Sequence, residues 1–163
     1  MAAVLTRLGL RLHPDKTRIV HLARGAEGFD FLGFHHRMVE SLKWRGHYYL
    51  NKWPSQRAMA SIRAKVRQRT PRSYASRDMV HVVDGLNPVL RGWANYFRYG
   101  NSSRKFQAVD SYVHERLAML ASIKYSLPGG RNWATTNRFH LGWLKQLRVY
   151  RLTGQVRLWT AHA

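Results

Sequence analysis

The chain is 163 residues long, 45% hydrophobic and 12% aromatic, enough apolar material for one compact domain or two small lobes and too much for wholesale disorder. Its 28 Lys and Arg against 8 Asp and Glu give a formal net charge of +20, which calls for a polyanion, either nucleic acid or an anionic membrane surface. No apolar run is long enough for a membrane-spanning helix, no secretory signal is visible in the first residues, and the lack of cysteine excludes disulfides, thiolate catalysis and Cys-ligated zinc. The expected address is cytoplasmic.

Residues 1–9 read as the end of a helix, with Leu5 and Leu8 on one side and Gly9 to stop it. Two strand-like runs follow, 11–22 and 29–39, the first broken by Pro14-Asp15. In Phe29-Asp30-Phe31-Leu32-Gly33-Phe34 apolar residues fall on both parities, which predicts a strand covered on both faces. Gly33 within it predicts the close approach of another backbone or a ligand. Arg45-Gly46 is placed to turn 41–44 back onto 47–50.

From Ser55, a suitable N-cap, the pattern is helical: Met59, Ile62 and Val66 recur at helical spacing among Arg57, Arg63, Lys65, Arg67 and Arg69, and Pro71 ends the run. A second helix is expected over 76–86, and a third from the N-cap and first-turn pair Asn87-Pro88. Leu86, Leu90, Trp93 and Phe97 then form an apolar stripe, with Arg91, Asn95 and Arg98 on a separate polar one. A fourth helix is expected over 103–124, its face built from Phe106, Val109, Val113, Leu117 and Leu120. Residues 127–132 read as a loop. Phe139, Trp143, Leu147 and Tyr150 predict a last helix with Lys145, Arg148 and Arg151 outward, and Thr153-Gly154 a final turn. The shift from strand-like to helical composition near residue 51 divides the chain into 1–50 and 51–163.

The chemistry these residues can support is limited. The acids Asp15, Glu27, Asp30, Glu40, Asp78, Asp84, Asp110 and Glu115 form no tight pair, so the carboxylate cluster that holds divalent ions in nucleotidyl transfer is missing from the sequence. Asp110 and His114, four residues apart, with Glu115 beside them, are a weak metal-ligand pattern, and no metal site is assigned. What stands out is basic residues interleaved with aromatics, as in Lys43-Trp44-Arg45 and Tyr96-Phe97-Arg98-Tyr99. Arginine pairs bidentately with phosphate and aromatic faces stack on unpaired bases, a mixture suited to structured or single-stranded RNA more than to lipid. Trp93 and Phe97 are assigned to the core, and Arg91, Asn95 and Arg98 to RNA contact. His35-His36 reads as an exposed pair without a role, with an RNA-facing role as the alternative.

Two strings together resemble one family. Leu8-Gly9-Leu10-Arg11-Leu12-His13-Pro14-Asp15-Lys16-Thr17, followed by Phe29-Asp30-Phe31-Leu32-Gly33-Phe34, is similar to the last palm motifs of group II intron reverse transcriptases. Leu86-Asn87-Pro88-Val89-Leu90-Arg91-Gly92-Trp93-Ala94-Asn95-Tyr96-Phe97 resembles the signature of the maturase-specific domain, or thumb, that follows the palm in that family. The resemblance implies that Lys16 lies near the incoming nucleotide or template and that Leu32, Gly33 and Phe34 form a primer-grip-like element. It further implies that Arg91, Gly92, Trp93, Asn95 and Tyr96 match the thumb helix motif, with Gly92, Trp93 and Phe97 as its structural part, and that this part of the chain helps intron RNA to bind and to reach its splicing-competent fold. The Tyr-Ala-Asp-Asp motif and the earlier palm aspartate of the family have no counterpart here, so no polymerase or nuclease activity is expected from this chain by itself. Magnesium would belong to a complete polymerase or to the bound ribozyme.

The expectation is therefore an α+β, mainly α chain: a short β-strand palm remnant over 1–50, then a helical bundle over 51–163. Structured RNA, first of all group II intron RNA, is the expected partner, through Arg57, Arg63, Arg67, Arg91, Asn95, Tyr96, Arg98, Lys145 and Arg148. The alternatives are one piece of a split reverse transcriptase that docks a separate fingers-palm chain, or a decaying remnant of such an enzyme. A membrane partner is not expected, because the charge is spread over several helices.

Overall fold

The computed structural model describes residues 20, 22, 27–127 and 137–157. The expected helix end over 1–9, nearly all of the first strand-like run, Lys16, and most of the loop after Leu127 lie outside the described residues. The described part is α+β and mainly α: a three-stranded antiparallel sheet, then helices. The strands are β1 (Phe29–Phe31), β2 (Phe34–Glu40) and β3 (Tyr48–Pro54), in that order across the sheet.

The expected single strand over 29–39 is a hairpin. Phe31 faces Phe34 across a two-residue turn in which Leu32 and Gly33 both have positive φ, 48° and 78°. Two positive φ values in succession match the twist of the flanking strands, and glycine takes them freely, whereas leucine does so at a cost of about 1–2 kcal/mol. Tertiary bonds hold this turn: the Leu32 carbonyl accepts from the Tyr96 hydroxyl at 2.9 Å and the Gly33 carbonyl accepts from the Ser55 amide at 2.8 Å. The close backbone approach expected at Gly33 is thus present. Coverage on both faces is not, since Phe31 and Leu32 are 58% and 67% exposed. The returning strand also pairs elsewhere than expected: β3 lies against β2, with His36 opposite Lys52 and Met38 opposite Leu50, and residues 41–47 form the connection. β3 runs through residue 51, and the change to helix falls at Ser55.

Ser55 caps helix α1 (Gln56–Arg69), its hydroxyl accepting from the Ala58 amide at 3.2 Å, and the helix buries Met59, Ile62 and Val66. At the other end Arg116 donates to the Thr70 carbonyl and, at 3.1 Å, to the Thr70 hydroxyl, satisfying a carbonyl that a helix terminus leaves open. A 3₁₀ turn (Arg72–Ser76) then leads to α2 (Met79–Phe97).

α2 replaces the two helices expected over 76–86 and from 87 onward. Asp78 caps it, accepting from the Val80 amide at 3.0 Å, and Pro88 lies inside the helix. Proline removes the bond to the Asp84 carbonyl, but Asp84 is exposed and water can take that place. Asn87 does not cap. Its amide donates to the Arg148 carbonyl at 3.0 Å and its oxygen accepts from the Tyr150 amide at 2.8 Å, so the side chain clamps the C-terminal segment to α2.

Helix α3 (Ser103–Lys124) has the expected bounds, and the expected face of Phe106, Val109, Val113, Leu117 and Leu120 is buried. It packs against α1 and the 3₁₀ turn, while α1 also packs against α2. α4 (Leu141–Gln146) is shorter than expected: Phe139 precedes it, and Arg148, with φ 57°, turns the chain away before Tyr150. Gly154, at φ 91°, makes the final turn. No described helix is long and apolar enough to cross a membrane.

Candidate RNA interface

The hairpin turn and the end of α2, more than sixty residues apart in sequence, meet in one aromatic cluster. Phe34 lies 5.7 Å from Tyr96 and 4.8 Å from Phe97, centroid to centroid, and Trp93 lies 4.7 Å from Phe97. A Cβ built on Gly33 would stand 3.3 Å from the Phe97 ring, so the turn sits directly on that side chain. Leu32, Gly33, Phe34, Trp93, Tyr96 and Phe97 are therefore brought together. Phe97 is buried, as expected, but Trp93 is half-buried and Tyr96 is 53% exposed.

Beside this cluster, α1 and α2 enclose a groove of about 610 Å³. Lys65, Gln68 and Arg69 line it from α1, and Gly92, Trp93 and Tyr96 from α2. Lys65 and Arg69 are four residues apart, one turn above the other on one helix face. They were not assigned to RNA contact from the sequence, although that spacing is visible there. Arg63 and Arg67, which were, lie around the helix toward α3, where the Arg63 guanidinium stands 5.8 Å from the Tyr112 ring. Arg57 is exposed near the start of α1.

The expected stripe on α2 is present but lies on the flank facing the C-terminal segment. Arg91 is exposed and stands 5.4 Å from the Tyr150 ring, and Asn95 is exposed. Arg98 is half-buried and turned inward, donating to the Tyr99 hydroxyl at 2.9 Å while its carbonyl accepts from the Arg157 amide. Lys145 and Arg148 are exposed at the end of α4, and Arg148 is joined to this flank through Asn87. The sequence-derived cations thus divide between two flanks of the bundle, with the groove between α1 and α2 between them.

The histidine pair is not exposed. His35 is half-buried, with Nδ1 2.7 Å from an Asp30 carboxylate oxygen and Nε2 3.0 Å from the Glu27 carbonyl. His36 stacks on Phe29 at 5.1 Å. Burial, then Lys52 across the strand pair and then His35, push the His36 pKa below its ordinary 6.5, with Asp30 opposing. The fold thus favours neutral His36, while the unfolded chain takes up a proton at the ordinary value. The linked stability is complete above 6.5 and falls as pH drops from there toward the lower folded value. Thermal unfolding at pH 7.5 and pH 5 should show a smaller drop for His36→Phe than for the unsubstituted chain. Equal drops would refute the assignment.

Asp110 and His114 are occupied by the fold itself. Asp110 accepts from the Leu152 and Thr153 amides and the Thr153 hydroxyl, and His114 Nε2 contacts the Phe139 carbonyl. Among the described residues no three His, Asp or Glu side chains gather where a metal ion could be held.

The fold is that of a mainly helical α+β module whose most distinctive sequence motif, residues 86–97, buries Leu86, Leu90 and Phe97 and leaves Arg91, Asn95 and Tyr96 exposed. Residues 59–139 match the family described as group II intron, maturase-specific domain. The helical part of the chain thus carries the group II intron maturase-specific domain. A comparison with curated proteins gives no match.

Proposed function

We propose that the chain binds structured RNA, group II intron RNA before others, and helps it reach a splicing-competent fold. The observation that carries this reading is the maturase-specific match, which spans α2 and α3 and includes the groove-lining Lys65, Arg69 and Trp93. The mechanism is electrostatic. Arg57, Arg63, Arg67, Lys65, Arg69, Arg91, Lys145 and Arg148 neutralise phosphates where intron helices converge, lowering the magnesium the RNA needs, while Asn95, Tyr96 and the adjoining rings supply preference for shape. Arg98 contributes less, its guanidinium being held by Tyr99. No polymerase centre of the chain's own is part of this reading, and the place of action is the cytoplasm.

The test is competition between a group II intron RNA and an unrelated structured RNA of equal length across a salt series. Intron RNA should win by about tenfold or more, roughly 1.4 kcal/mol, at every salt concentration, with affinity for both RNAs falling steeply as salt rises. Equal competition throughout would reduce the chain to a folded polycation. The folding role needs a second readout, a gain in splicing at low magnesium.

A second reading is favoured by the exposure of Phe31 and Leu32 on the outer hairpin. In it the sheet is the end of a reverse-transcriptase palm, Leu32-Gly33-Phe34 is its primer grip, Lys16 lies near the nucleotide, and a separate fingers-palm chain docks there. Co-purification with such a chain, lost in Phe31→Asp, supports that arrangement.

A further inference from the structure

The groove between α1 and α2 has three features that the general RNA reading does not use. The first is Tyr96. A tyrosine at a surface ordinarily buries its ring and offers its hydroxyl to water, but here the hydroxyl is spent on the Leu32 carbonyl at 2.9 Å while the residue stays 53% exposed. One side of the ring rests on Phe34 at 5.7 Å and 28°, and Phe97 meets it edge-on at 4.8 Å. The ring is fixed by partners on its inner side, and what it presents outward is aromatic surface.

The second is Gly92. It lies inside α2, is exposed, and a Cβ built on it would meet nothing within 4 Å apart from its two chain neighbours and its own helix backbone. A glycine inside a helix costs about 0.5–1 kcal/mol relative to alanine. Nothing among the described residues requires that cost, since the position has room for a side chain and helical backbone. The bare position leaves the groove open between Trp93 and Tyr96. The third is charge: the groove lining includes Lys65 and Arg69 and no carboxylate.

The geometry points to a site for a single unpaired nucleotide of RNA in this groove: its base lies over Gly92 against Tyr96 and Trp93, and its phosphate is held by Lys65 and Arg69. The inference rests on the RNA-binding proposal and narrows it to one feature of RNA, a bulged or looped-out base. Stacking on a preset ring is favourable for any base, because every base has a π-face, and a cation pair at the rim matches the phosphate that accompanies it. A volume of about 610 Å³ admits one nucleotide.

The test uses the full chain and two labelled hairpin RNAs of equal phosphate number, one fully paired and one with a single bulged adenosine, measured by fluorescence anisotropy. The bulged RNA should bind about tenfold more tightly. In Gly92→Leu, which fills the groove, that preference should fall to about onefold, and a thermal melt should show that the helix is retained. Tyr96→Leu, which removes the platform, should reduce the preference similarly. If the unsubstituted chain binds both hairpins equally, or if Gly92→Leu and Tyr96→Leu keep the preference, the nucleotide site is overturned while RNA binding stands. If neither hairpin binds, the RNA-binding proposal falls and the site falls with it. If oligoglutamate displaces the bulged hairpin from the unsubstituted chain but not from Gly92→Leu, the groove is a site for an acidic protein segment instead.

Discussion

Replacing Phe106 by Ala should lower the unfolding free energy by about 3–5 kcal/mol, a large share of the 5–15 kcal/mol that holds a domain of this size together. Phe106 is fully buried in the first turn of α3, and its ring lies 5.6 Å from that of Trp93. Removing it takes apolar surface out of the core and leaves a cavity where α3 meets the end of α2. Neighbours fixed on two helices close such a space only in part. Denaturant unfolding should show a lower midpoint with an unchanged slope, and Trp93, which loses its support, should report the change in its fluorescence. Leu42→Ala is the natural control, because Leu42 is 105% exposed and its loss should stay within about 0.5 kcal/mol. Equal effects at the two positions would mean that the described core does not carry the stability.

These two residues also show where the sequence could be read. Phe106 belongs to a stripe that repeats without interruption over about four turns, from Phe106 to Leu120, and the burial of such a stripe is settled by its periodicity alone. The bounds of α3 and the Ser55 cap were legible for that local reason. The hairpin was not. Its turn uses Leu32 at positive φ, where turn chemistry favours Asn or Gly, and what keeps it there is the Tyr96 hydroxyl 64 residues along the chain. Asn87-Pro88 misled in the opposite direction. As a local signal it starts a helix, but burial of Leu86 and Leu90 on one continuous face, together with the bonds from Asn87 to Arg148 and Tyr150, carries α2 straight through it. The maturase-specific signature was legible as a string, and the match over residues 59–139 bears it out.

The groove was the least legible feature, although each of its residues is plain in the sequence. Arg63 and Lys65 are two positions apart, and the helical repeat sends them to nearly opposite sides of α1. Which side faces α2 depends on how Ile62 packs between the helices, a tertiary fact. A helix wheel separates the two sets of cations without saying which set has rings opposite it. Arg98 shows the converse. By its position on the wheel it is a surface cation, yet Tyr99 and the Arg157 backbone hold it in place.

Asp110→Ala should cost about 3 kcal/mol and release the C-terminal segment from the bundle. The carboxylate stands on α3 and accepts from the Leu152 amide at 2.9 Å, the Thr153 amide at 2.9 Å and the Thr153 hydroxyl at 2.6 Å. Hydrogen bonds to a charged acceptor contribute about 1.5–3 kcal/mol each, and three on one carboxylate add to less than their sum. Leu152 is fully buried, so without Asp110 its amide either goes unpaired or drags the segment into water. Amide exchange at Leu152, Thr153 and Tyr150 should accelerate while the amides of Val113 and Leu117 stay protected. Unchanged exchange at Leu152 and Thr153 would refute the anchor. The same variant separates position from charge in RNA binding. It raises the net positive charge by one, so attraction by total charge alone predicts tighter binding. The RNA-binding proposal predicts weaker binding, because Arg148 and the Tyr150 ring beside Arg91 are held in place by the segment that Asp110 anchors.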